Sequence, residues 1–168
     1  MSKLLRKLEK KIWMDPQIAI NLGGLQADAL KNFSTTSNAL SVYYAGNDTI
    51  PTERILAAIA GGRENIQEVD YAVFDSKLLE KHEIKTNQIN GKTADDKVNE
   101  LHLDLVELTA NQIYLLASSI QISGELKRIS KINIGRKISI GLKEGCLDQK
   151  KVNQSLIPKL NKYSHSCS

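Results

Sequence analysis

The chain has 168 residues, 41% of them hydrophobic and 25% charged, and a formal net charge of +4, values that suit one globular domain and exclude a disordered segment. At this length roughly two-thirds of the surface of the unfolded chain can be buried, so a core needs neither disulfides nor a metal. Cys146 and Cys167 are the only cysteines, too few for a disulfide framework or a four-cysteine zinc site, and no run has the ~20 apolar residues of a membrane span or the form of a secretory signal. The expectation is a soluble, cytoplasmic protein with reduced thiols and no cofactor.

The net charge hides a segregation along the chain. Residues 1–14 carry five Lys/Arg and one Glu, for +4; residues 15–123 carry eight basic and fifteen acidic side chains, for −7; residues 124–168 carry ten basic and three acidic, for +7. Such an arrangement suits either ends that bind an anionic partner or ends that dock on an acidic body.

In chain order, Leu4, Leu5, Leu8 and Ile12 fall on one helical stripe with Lys3, Arg6, Lys7, Lys10 and Lys11 around it, predicting a basic amphipathic helix over 1–14 that Asp15-Pro16 ends. Packing of this helix on the protein's own core is expected rather than peripheral membrane contact. A short helix is predicted from Leu25 to Phe33. The run 39–45 reads as a strand, a helix entered through Asp48, Thr49 and Pro51 reads on to Ala60, and Gly61-Gly62 stops it. A second strand is predicted over 69–74, followed by a helix over 77–81 capped by Asp75-Ser76. Strand, helix and strand together suggest a βαβ unit with parallel strands.

Residues 86–92 read as a surface loop, and Thr93-Ala94-Asp95-Asp96 opens what reads as one long amphipathic helix from 93 to 122, ended by Ser123-Gly124. Residues 124–145 fit helix and strand periods equally well. A helix interrupted by Pro158 is predicted over 148–162. The predicted architecture is thus a helix-rich α+β domain, a small sheet with a βαβ unit packed on a long helix, with an all-α bundle as the alternative. Residues 15–163 form its single globular domain, acidic over 15–123 and basic over 124–163, and 164–168 form a disordered tail.

Signatures for nucleotide-binding loops, serine-nucleophile elbows and zinc helices are absent from the sequence. Asp95, Asn99 and His102, at i, i+4 and i+7, would share one face of the long helix, near Asp104 and Glu107, which makes His102 a candidate base or metal ligand. The polar face of an amphipathic helix explains the same pattern. Asp70 and Asp75 flank the second predicted strand and, with the turn Gly46-Asn47-Asp48, would converge at one sheet edge if the strands were parallel. Helix capping by Asp75 is the structural reading. His165 and Cys167 sit too near the terminus, and too few in number, for a committed metal site.

The basic residues Lys127, Arg128, Lys131, Arg136 and Lys137 suit charge-driven contact with phosphates, without the interleaved aromatics of a stacking platform. The function expected from these features is a non-catalytic interaction or regulatory protein that uses Lys3, Arg6, Lys7, Lys10, Lys11, Lys127, Arg128 and Lys131 toward a protein partner or a second copy. The alternatives are electrostatic nucleic-acid binding through the basic C-terminal segment and a small enzyme built on Asp70, Asp75 or His102.

Overall fold

A spacing of four residues satisfies the helical repeat and the period of a strand alike, and the leucines near the N-terminus exploit the second option. In the computed structural model, which describes residues 2–8, 27–46 and 50–164, Lys3–Leu8 is strand β1. Leu4 and Leu8 enter one hydrophobic cluster while Leu5 enters another on the opposite face. The predicted N-terminal helix is therefore replaced by a strand over residues 3–8; Lys10, Lys11 and the rest of that prediction lie outside the described residues.

β1 is central in a six-stranded sheet ordered β4-β5-β2-β1-β3-β6. The other strands are β2 (Ala39–Ala45), β3 (Val69–Asp75), β4 (Lys85–Gln88), β5 (His102–Val106) and β6 (Glu125–Ile129). Every ladder is antiparallel. Helices cover both faces. Against one face pack α1 (Thr52–Gly61), α5 (Lys131–Lys143) and α6 (Ile157–Ser164), whose Ile55, Ile138 and Leu160 join Leu5, Tyr71 and Val73 of the sheet. Against the other pack a 3₁₀ helix (Ala27–Phe33), α2 (Lys77–Lys81) and α4 (Ala110–Ser123), whose Phe33, Leu79 and Leu116 join Leu4, Leu40, Phe74 and Leu105. Burial of β3 on both faces explains its near-continuous apolar run.

Four expectations are corrected. The parallel βαβ unit is absent, because β1 inserts between β2 and β3 and opposes both. The all-α alternative fails with it, and strands account for too much of the chain for a helix-rich description. The long helix over 93–122 is three elements: Asp95 caps the single turn α3 (Asp96–Asn99), accepting from the amides of Lys97 and Val98; β5 follows; and Thr109 starts α4 with a capping box to Gln112. Leu101, Leu105 and Leu108 mimic a helical stripe, but Leu103 and Leu105 point to one face of the sheet as alternate strand residues do. Glu107, at φ 55°, breaks the backbone before α4 begins.

Residues 124–145, which fit two periods, are two elements, β6 and α5, joined at Ser130, whose hydroxyl accepts from the Asn133 amide at 3.2 Å. The predicted helix over 148–162 is confined to Ile157 onward, with Pro158 in its first turn, where no amide hydrogen is missed. Ser164 belongs to α6, and 165–168 lie outside the described residues, as do Asp48 and Thr49. Among the described residues no helix is long and apolar enough to cross a membrane.

Candidate functional site

Because β3 lies between β1 and β6, the two basic ends of the chain become neighbours. The register places Leu8 beside Asp70 and Asp70 beside Arg128 in one row, and Lys7, Tyr71 and Lys127 in the next. Where this row meets the loop after α1 and the start of α5, an open cleft of about 730 Å³ forms, lined by Lys7, Leu8, Arg63, Ile66, Gln67, Glu68, Asp70, Arg128 and Lys131. Four cations and two carboxylates give its lining a formal charge of +2.

Both carboxylates are engaged by one cation. Arg128 donates from Nε to Asp70 Oδ1 at 2.6 Å and from Nη2 to Asp70 Oδ2 at 2.9 Å, while Nη1 lies 3.1 Å from Glu68 Oε1. Asp70 is buried, so this fork is a cross-strand brace as well as the cleft floor. Its carboxylate raises the guanidinium pKa further above its ordinary value, and Arg128 stays charged. Lys131 is the first residue of α5, makes no ion pair among the described residues, and adds its charge to the positive end of the helix dipole.

The other predicted partner-binding residues serve different ends. Lys3 and Lys127 both bond Glu125 on the face opposite Arg128, and together they hold its carboxyl down to about 2, Lys127 contributing most. Arg6 donates to the carbonyls of Ser41 and Asn32, each at 2.7 Å, tying the 3₁₀ helix to β2. Arg136 and Lys137 lie on α5 beyond the cleft lining. Arg63, Gln67 and Glu68 were not singled out by sequence; the only signal for Arg63 was its place directly after the Gly61-Gly62 helix stop.

The candidate catalytic residues are not brought together. Asp70 and Asp75 sit toward opposite ends of β3, about 17 Å apart along an extended chain. Asp75 accepts from the Lys77 amide, the first of α2, at 2.9 Å, one residue before the N-cap Ser76, whose own side chain makes no cap hydrogen bond. His102 lies on β5, with β2 and β1 between it and β3. Its buried ring has Nδ1 3.1 Å from the Ile89 carbonyl, Nε2 3.4 Å from Asp104 Oδ1, and Tyr43 edge-on at 5.1 Å between centroids. Asp95 and Asn99, predicted to share a face with His102, build a turn instead. Asn99 Oδ1 accepts from the amide and hydroxyl of Thr93, each at 2.7 Å, and Asp95 accepts Arg54 Nε at 2.6 Å. Among the described residues no group of three or more His, Cys, Asp or Glu is placed to hold a metal ion.

Comparison with family models, with curated proteins and with solved structures gives no match for this chain.

Proposed function

We propose that the protein is a non-catalytic binding protein whose basic cleft holds a phosphodiester backbone, read by charge rather than by base sequence. The observation that carries this reading is the convergence of Lys7, Arg63, Arg128 and Lys131, from three separate stretches of sequence, on one open cleft. The character of the lining favours nucleic acid over an acidic protein. Its two apolar members, Leu8 and Ile66, are 2% and 5% exposed, so the cleft offers almost no apolar anchor of the kind that protein interfaces use. Phosphate contacts need no such anchor. Among the described residues the cleft lining holds no aromatic side chain, which favours backbone contact over stacking of splayed bases.

The test is fluorescence anisotropy at low salt with labelled duplex and single-stranded oligonucleotides of random sequence. Lys7→Ala with Lys131→Ala is expected to weaken binding by about tenfold or more, and Lys143→Ala, on the far end of α5, to leave it unchanged. Absence of binding to either form, or equal binding by the cleft variant, contradicts the proposal; binding only to an acidic peptide would assign the cleft to a protein partner instead.

A further inference from the structure

The two edges of the sheet are not equivalent. β4 is a four-residue strand with every side chain exposed, and Lys85 at its start is ion-paired to Glu107, the charged and short form that discourages pairing with another chain. β6 is the opposite edge. No described strand pairs with its outer side, so a row of main-chain N–H and C=O groups faces outward. Helices join it at both ends without slack. Gly124 alone separates α4 from β6, and a Cβ there would lie 2.6 Å from the Ile120 carbonyl oxygen, so no larger residue fits the join. Ser130 alone separates β6 from α5. The joins fix an isoleucine at each end of the edge: Ile122 is 86% exposed and Ile132 is 55% exposed.

We infer that this edge is a self-association surface, on which a second copy of the chain adds its own β6 antiparallel to the first and extends the sheet across a two-fold axis. The sequence of β6 specifies the register. Residues opposite one another in an antiparallel pair share a face, so their numbers must share parity when the two strands are identical. A register centred on Lys127 sets that lysine against itself. One centred on Leu126 sets Glu125 of each copy against Lys127 of the other, twice, on the face where these side chains already attract each other. On the opposite face it places Leu126 against Leu126, beside the apolar cluster that contains α4. The second register pairs opposite charges and an apolar contact, and the first pairs like charges. The partner that fits is thus a copy of the same strand, in an isologous contact. This inference is independent of the anion-binding reading of the cleft.

Sedimentation equilibrium of the full chain, at concentrations up to about 100 µM, tests it. The expected mass is twice the 18.7 kDa of one chain. Lys127→Glu, which sets Glu against Glu, is expected to raise the dissociation constant by about tenfold or more, and so is Glu125→Lys. An equimolar mixture of these two variants is expected to restore the dimer, because each Glu then meets a Lys. Ile122→Glu, at a side chain too exposed to support the fold, is expected to weaken the dimer as well. A wild-type chain that stays monomeric overturns the inference. So does a dimer of unchanged affinity in all three variants, or single-charge variants that weaken the dimer without rescue on mixing.

Discussion

Replacing Asp70 by Asn separates two consequences of the Asp70–Arg128 fork that act in opposite directions. The substitution keeps shape but removes a charge, and it turns an amide nitrogen toward a guanidinium that can only donate. Removing one partner of a buried ion pair costs about 3–5 kcal/mol. Here the Arg128 side chain is 28% exposed and retains Glu68, so solvent and the second carboxylate recover part of the loss, and the expected destabilisation is about 2 kcal/mol. Anion binding should improve. The formal charge of the cleft rises from +2 to +3 when one of its two carboxylates is lost, worth about a threefold to tenfold gain in oligonucleotide affinity at low salt. Urea unfolding gives the first quantity and anisotropy at a temperature where both proteins are folded gives the second. A variant that is destabilised yet binds no tighter would refute the cleft as the anion site, and one of unchanged stability would refute the brace.

Gly135→Ala should destabilise the protein by about 1–3 kcal/mol in thermal or urea unfolding, because the added Cβ would lie 2.6–2.8 Å from ring atoms of Tyr163, the contact through which α6 packs on α5. Asp95→Ala removes both the cap of α3 and the partner of Arg54. With Asp95 side chain 1% exposed and Arg54 25% exposed, about 3 kcal/mol is expected, and Arg54→Ala should cost less because the cap survives. Glu125 should titrate in the folded protein at about 2, against an ordinary value of 4.5. Its folded-state value is depressed, so its contribution to stability is complete above pH 4.5 and is lost as pH falls toward 2. Carboxyl NMR titration checks this, and Lys127→Ala should move the midpoint upward.

Where local chemistry decides, the sequence was legible. The strands at 39–45 and 69–74, the stop at Gly61-Gly62, the start of α2 after Asp75-Ser76 and the end of α4 at Ser123-Gly124 all stand near the predicted positions. Helix and strand are confused where a four-residue spacing of leucines fits a helical stripe. Leu4 with Leu8 fit a strand face equally well, and the partner strands decide between the two, whereas Leu101 and Leu105 fit the stripe yet pack in opposite clusters. The antiparallel order was hidden for the same reason. Nothing local reveals that residues 3–8 insert between β2 and β3, and that insertion removes the parallel pair. It also creates the site. Lys7 and Arg128, 121 positions apart, become two strands apart, so the charge segregation was visible while the cleft was not. Arg63 is not legible in the sequence, because a lone arginine after a helix stop carries no pattern of its own.

The central claim is that Lys7, Arg63, Arg128 and Lys131 act together on a phosphate backbone. The most direct measurement is the salt dependence of duplex binding. With about two to four phosphates neutralised, bounded by the net charge and the cation count of the lining, log affinity should fall against log salt with a slope of about −2 to −4, and Lys131→Ala should reduce that slope by about one. A slope near zero, or one unaltered by Lys131→Ala, would contradict it.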